Sequence, residues 1–303
     1  MTLRVGLQIV GAEKFFGGDV KGLLDIAKRA DARGIDVISI GDHVVMSGTD
    51  VATYKTAPKF PLPLDQPFFE VISLMSAIAV LTKRIRLSAN VLLSPLRPAV
   101  LMAKQLATLD VLSDGRVEMA LGTGWQKAEY DASGIDFASR NGHLAEQVEA
   151  FRVLWSGGPA SYHGKHVNFD DLYCYPLPVQ GAKMPVWLGV SVHGRNGERL
   201  VRLADGWAAP PTKPDKFADD MAHLRNLCAR QGRAPASLGI RVSIMPARHA
   251  DGTPDPETSF KDAPALIAAG ADTIMASVIN FCPTAADIDP FLDRMVELKR
   301  TGR

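Results

Sequence analysis

The chain has 303 residues, 47% of them hydrophobic, with 34 basic and 33 acidic residues and a formal net charge of +1. That is long enough for a single α/β barrel and apolar enough for a large core. The charge balance excludes a nucleic-acid binder driven by overall charge.

The elements alternate along the chain. Residues 3–9 read as a first strand rather than a signal peptide, because no basic n-region or cleavage site is present. Residues 18–33 read as a helix, with Val20, Leu23, Leu24, Ala27 and Ala30 near helical spacing and Gly34 as its stop. Residues 36–40 are a second strand. A long loop, 41–66, leads to a helix over 67–81. The apolar stretch Val71–Leu81 is too short to span a bilayer. Residues 84–92 are a third strand, with Ile85, Leu87, Ala89 and Val91 alternating with Arg84, Arg86, Ser88 and Asn90. A helix over 98–112 starts at Pro98. Strand four covers 116–121, and a helix 140–155.

Residues 157–183 break this rhythm with turn residues and aromatics, and read as an inserted hairpin. The beat resumes with strands at 186–189, 206–209, 238–245 and 273–277. Helices follow at 196–204, 216–231, 260–269 and 285–299. Eight β→α units predict one (β/α)₈ TIM barrel over 1–303, with insertions at about 41–66 and 157–183. The doubly wound alternative usually places G-x-G-x-x-G after its first strand, and Gly11-Ala-Glu-Lys-Phe-Phe-Gly-Gly does not match.

A barrel carries its function at the C-terminal ends of its strands. Strand two ends in Gly41-Asp42-His43, where a carboxylate beside an imidazole suits a proton shuttle, a ring contact or a metal. The competing reading is a capped turn with a packed histidine. No neighbouring strand end offers the further ligands a metal needs, so no metal is expected. Asn90 stands at the end of strand three. Strand four opens into Gly122-Thr123-Gly124, where bare backbone can approach a ligand. Strand five leads through Gly189, Val190 and Ser191 to Gly194 and a helix start, a geometry that favours phosphate. Trp207 and the methionines Met46, Met75, Met102, Met119, Met245 and Met275 read as packing. Cys174, Cys228 and Cys282 form no C-x-x-C pair, which argues against zinc or thioredoxin chemistry and suits a reducing, cytoplasmic setting.

Taken jointly, Gly41-Asp42-His43, the strand 85–91, Leu109-Asp-Val-Leu-Ser-Asp-Gly-Arg116, Gly122-Thr-Gly-Trp125 with Glu129, Pro185-Val-Trp-Leu-Gly189 and Ala204-Asp-Gly-Trp207 resemble the bacterial-luciferase-like superfamily over about residues 3–210. Beyond that only the rhythm matches. The resemblance implies a TIM barrel that binds FMN or the deazaflavin coenzyme F420, and Asp-His after strand two resembles the F420 users. Carried over by position, it places Asp42 and His43 near the cofactor ring and Asn90-Val91 at a strand-three bulge that commonly holds a non-proline cis peptide. Gly122, Thr123 and Gly124 would line a second wall, and Gly189, Val190 and Ser191 would meet the cofactor phosphate. Trp125 stands where some deazaflavin dehydrogenases carry a glutamate proton donor, which argues against a sugar-phosphate dehydrogenase.

The expected chemistry is hydride transfer between the deazaflavin and a small organic substrate. His43 is the candidate general acid/base, because an unperturbed imidazole titrates near neutral pH, and Asp42 would fix its tautomer or touch the ring. Both insertions would line the substrate pocket, with Phe60, Phe68, Tyr162 and Tyr173 making it apolar. Lys14, Lys55, Lys59 and Arg195 could meet an anionic cofactor tail. Two further readings stay open. One is an FMN-dependent monooxygenase fed by a separate reductase, and the other a non-catalytic flavin-binding barrel. The resemblance also suggests a homodimer, through the helices after strands two and three, and no nucleic-acid or membrane partner.

Overall fold

The computed structural model describes residues 2–54 and 62–302. Its strands are β1 (Arg4–Gln8), β2 (Val37–Ile40), β3 (Arg86–Ala89), β4 (Leu92–Leu93), β5 (Met119–Gly122), β6 (Ala160–His163), β7 (Asn168–Leu172), β8 (Val186–Leu188), β9 (Gly206–Ala209), β10 (Gly239–Ser243), β11 (Ala247–Arg248), β12 (Pro254–Asp255) and β13 (Thr273–Ser277). Nine of them form one parallel sheet in the order β3-β2-β1-β13-β10-β9-β8-β5-β4. β3 and β4 are two halves of one stave, interrupted at Asn90-Val91. β3 pairs with β2, and β4 pairs with β5 through Leu92 and Leu121. A parallel bridge from Leu87 to Val117 joins the two ends of the sheet. The ring therefore has eight staves, as the alternation of the sequence implied.

The helices are α1 (Lys21–Arg33), α2 (Gly48–Ala52), α3 (Val71–Leu81), α4 (Ala99–Leu112), α5 (Lys127–Ala132), α6 (Arg140–Leu154), α7 (Gly194–Leu203), α8 (Pro214–Arg230), α9 (Pro256–Phe260), α10 (Ala263–Ala269), α11 (Val278–Phe281) and α12 (Ile288–Thr301). α1 ends at Gly34, whose φ of 83° lets its N–H cap the carbonyls of Ala30 and Asp31. The Asp31 carboxylate then accepts from the backbone N–H groups of Lys83, Arg84 and Ile85 at 2.9, 2.8 and 2.7 Å. One side chain thus fixes where the chain leaves α3 and enters β3. Among the described residues, no helix is long and apolar enough to cross a membrane.

The outward faces of the staves pack under the helices, so Ile85, Leu87 and Ala89 of strand three join the main core, whereas Val91 packs with Ala120, Trp187 and Ala208. Inside the ring, the lower half is polar. Glu118 accepts from Arg4 at 2.8 Å, from Arg86 at 2.5 Å and from Arg241. Arg241 is 1% exposed, donates to Ser88 Oγ at 2.8 Å and lies 4.4 Å from the centre of the Trp187 ring. A buried charge is tolerated only when paired and hydrogen-bonded in this way.

The insertion is a hairpin, β6 antiparallel to β7. It lies along α6: Tyr162 Oη donates to Glu149 at 2.5 Å, and Glu146 accepts from the N–H groups of Lys165, His166 and Val167 at 3.0, 2.6 and 3.0 Å. The expected substrate-pocket wall is therefore corrected. Tyr162 is spent on α6 and Tyr173 is 64% exposed, because α6 offers the hairpin two carboxylates to grip. Lys55, Lys59 and Phe60 lie outside the described residues.

Candidate active site at the barrel mouth

Asp42 leaves β2 only 5% exposed. Its carboxylate receives both guanidinium arms of Arg97, at 2.6 and 3.1 Å, and the N–H of Leu93 at 2.8 Å. Burial pulls the Arg97 guanidinium down, and its bonds to Asp42 and Glu70 more than reverse that, so it stays above its ordinary value. Such a forked pair is among the stronger ion pairs. It ties the end of stave two to the chain that resumes after the strand-three break. Of the two roles expected of Asp42, fixing the His43 tautomer is corrected, because both its oxygens are engaged with this crossing.

The partner of His43 is Glu129. Its Oε2 lies 3.1 Å from His43 Nδ1, and its Oε1 accepts from Val44 N at 2.9 Å. Gln126 Nε2 stands 2.9 Å from the same Nδ1, while Gln126 Oε1 accepts from Ser47 N at 2.8 Å. Glu129 and Gln126 are both fully buried. Nδ1 therefore lies between a carboxylate oxygen, which accepts, and an amide nitrogen, which donates, and the tautomer of His43 decides which of the two it bonds. Phe68 and Trp125 meet the imidazole edge-on, with centroids at 4.9 and 5.8 Å.

Short elements set this geometry. α5 carries Glu129 and Tyr130. Its start is held by Ala128 N donating to Asp50 of α2 at 2.8 Å. Tyr130 Oη donates to the Thr123 carbonyl at 2.6 Å, which pins the glycine loop. The loops after β2 and β5 are thereby joined at three points: Val44–Glu129, Ser47–Gln126 and Asp50–Ala128.

The peptide between Asn90 and Val91 is cis, as the family resemblance implied. Asn90 N donates to the Ile40 carbonyl at 2.8 Å. The Val91 side chain then lies between two glycines. A Cβ on Gly122 would stand 2.3 Å from Val91 Cγ2, and one on Gly189 would stand 2.2 Å from Val91 Cγ1. Gly122 and Gly189 therefore clear space for Val91. Gly124 does need its freedom, with φ at 61°.

On the opposite wall, Ser191 Oγ accepts from His193 N at 3.2 Å just before α7 begins. Trp207, packed as expected, donates from Nε1 to the Val190 carbonyl at 3.0 Å and so fixes that loop. Gly189 and Val190 are half-buried and Ser191 is exposed, as are Asn90, Val91, Thr123 and Gly124 to an intermediate degree, whereas the staves beneath are buried. The structure brings His43, Asn90, Val91, Thr123 and the 189–191 loop to the rim, and turns Asp42 aside. Sequence reasoning left the direction of Glu129 open and gave Gln126 and Arg97 no role. The spacing of Gln126 and Glu129, three residues on one helical turn, was the available signal.

A parallel barrel with a buried carboxylate–imidazole pair at its C-terminal rim defines the class of (β/α)₈ proteins that carry their chemistry on the strand-end loops. Residues 5–275 match the family described as luciferase-like monooxygenase, and the chain belongs to that family. The match runs well past residue 210, where the motif resemblance stopped. The uncharacterized protein Rv0953c of Mycobacterium tuberculosis is 32% identical over 223 residues, 73% of this chain and 78% of the relative. The coenzyme F420 dependent tetrahydromethanopterin reductase from Methanopyrus kandleri superposes with a TM-score of 0.76 at 15% identity, covering 96% of this chain and 98% of that one. The oxygenating constituent of 3,6-diketocamphane monooxygenase of Pseudomonas putida, solved with FMN, superposes with a TM-score of 0.72 at 15% identity, covering 99% and 98%. At that identity both share the fold.

Proposed function

We propose that the protein is an oxidoreductase that binds coenzyme F420 at the barrel mouth and transfers a hydride between it and a small organic substrate. The observation that carries this reading is the His43–Glu129 pair, 3.1 Å apart on the rim of a luciferase-like barrel. Asn90, Val91, Thr123 and Gly189 are partly exposed while the staves beneath them are buried, which supports a ligand seated at the rim. Asn90, Val91, Thr123 and Gly124 would flank the ring, and Gly189, Val190 and Ser191 would receive the phosphate. Bound there, the deazaflavin supplies the redox chemistry.

The chain's own part is to bind, orient and handle a proton. Glu129 and Gln126 orient the His43 imidazole through Nδ1, and His43 gives or takes the substrate's proton. Phe68 and Trp125 shield the imidazole from water. Asp42, through Arg97, holds the strand-three crossing in place.

Titrating the protein with F420 and with FMN, read by fluorescence quenching, tests the cofactor. Tighter binding of F420 is expected. Saturation by FMN with no F420 binding would overturn the reading in favour of an FMN monooxygenase supplied by a reductase. The fold similarity to the FMN-bound diketocamphane enzyme is what keeps that alternative in view. Binding of either without turnover across a broad substrate panel would favour a non-catalytic barrel.

A homodimer through α3 and α4 accompanies this proposal. α3 carries no charged residue, yet Val80 is 65% and Leu81 46% exposed. On α4, Leu101, Val111 and Leu112 are 50%, 40% and 44% exposed. A second copy is the occupant that would cover this apolar face.

A further inference from the structure

A cleft of about 620 Å³ opens beside the mouth, between the turn of the β6–β7 hairpin and the starts of α6 and α7. Lys165, His166, Arg195 and Arg199 line it, with Asn141 and Asp136. It begins where the mouth ends. Asn141 is 3.5 Å from Thr123 Oγ1, and His193, also in the lining, is bonded to Ser191.

The backbone of the hairpin turn that carries Lys165 and His166 is fixed in place. The Glu146 carboxylate grips three successive N–H groups of the hairpin turn. Burial pushes that carboxyl up, but the three bonds outweigh it and hold it below its ordinary value. Gly164 makes room for the grip, since a Cβ there would stand 2.3 Å from Glu146 Oε2. The Asp136 carboxylate is engaged by Ala138 N at 3.1 Å. Among the described residues none of Lys165, Arg195 and Arg199 sits in an ion pair, and Arg199 donates only to the Asn196 amide oxygen, at 3.2 Å. Arg195 and Arg199 are four residues apart on α7, which sets their Cβ atoms about 6 Å apart on one face. Among the described residues, Lys165, Arg195 and Arg199 thus line the cleft with no carboxylate paired to them.

We propose that this cleft binds the polyanionic tail of the molecule seated at the mouth: a phosphate ester continued by a flexible run of carboxylates. Coenzyme F420 carries such a tail, and FMN stops at its phosphate. The inference rests on the deazaflavin reading of the mouth. Exposed ion pairs are individually weak and screened by salt, so affinity must build up stepwise with the number of carboxylates.

The test is a quenching titration with F420 of short and long glutamyl tail, and with the same deazaflavin truncated to its ribityl alcohol, at low and high salt. F420 is expected to bind more tightly than the truncated form, with a margin that grows with tail length and shrinks with salt. The combined Lys165→Ala, Arg195→Ala and Arg199→Ala variant is expected to lose about tenfold in F420 affinity and nothing toward the truncated form. Equal affinity of the unaltered protein for both forms overturns the tail site and leaves the mouth reading standing. Equal loss toward both forms in the variant also overturns it. Failure of the unaltered protein to bind either deazaflavin overturns both readings.

Discussion

Glu129, on a six-residue helix after the fifth strand, reaches His43 at the end of the second and holds its Nδ1 at 3.1 Å. Eighty-six residues of sequence separate the two side chains; Glu129 is also pinned by Val44 N, and His43 meets the Gln126 side chain. Substituting Glu129→Gln keeps the shape and replaces an acceptor-only carboxylate with an amide. The expected result is a lower kcat, a shifted pH profile and a nearly unchanged KM for cofactor. His43→Ala should lower kcat by roughly 10²–10⁴-fold, the range of general acid–base catalysis, while cofactor binding persists. Steady-state kinetics across pH 5–9, paired with cofactor quenching, checks both. Full turnover in His43→Ala would end the assignment.

Val91 and the glycines that face it are expected to be energetically coupled. Gly122→Ala should destabilise the fold by about 1–3 kcal/mol, because the added methyl has no room beside Val91 Cγ2. Adding Val91→Ala should recover much of that loss. Urea unfolding of the two single variants and the double variant gives the coupling directly. Strict additivity would contradict the packing described here.

Asp31 sets an acid limb. Burial raises its carboxyl, but the backbone bonds from Lys83, Ile85 and Arg84 and the Arg84 charge outweigh that and lower it from 3.8. The unfolded chain therefore binds this proton at higher pH than the folded one. The stabilisation is complete above the unfolded value and is lost as pH falls through the lower, folded one. Asp31→Asn, with a single acceptor oxygen for three donors, should cost about 2 kcal/mol at neutral pH. The gap to the unaltered protein should close below pH 3.8, which urea unfolding at pH 7 and pH 3 would reveal.

The apolar outer faces of α3 and α4 predict that Leu101→Glu shifts the protein toward the monomer. Light scattering coupled to size exclusion measures this. A monomeric unaltered protein would remove the dimer proposal.

Much of the frame was legible in the residues. The alternation of short apolar runs with amphipathic stretches located all eight staves, because a buried parallel strand and its covering helix each leave a distinct period. The cis peptide at Asn90-Val91 and the hairpin near 160–172 were anticipated as well. What was not legible depends on tertiary approach. Whether Glu129 points toward His43 is decided by the docking of a short helix onto the β2 loop, which no periodicity encodes. Gly122 and Gly189 read as openings for a ligand, and only the position of Val91 reveals what they accommodate. Asp42 and His43 are adjacent in sequence and look like one functional unit, yet one is turned to Arg97 and the other to Glu129. Where the hairpin would lie was equally hidden, since Glu146 and Glu149 are ordinary surface carboxylates until something packs on them.

The floor of the barrel has an electrical consequence. Three guanidinium groups, from Arg4, Arg86 and Arg241, converge on the single carboxylate of Glu118. Arg241 lies two residues below the end of its strand, about 7 Å at the rise of extended chain. Arg241 is buried with Glu118, whereas Arg4 and Arg86 keep nearly a third of their side chains in contact with water. Glu118 is thus the counter-ion on which the interior of the barrel depends, since its loss would leave Arg241 buried without a carboxylate partner.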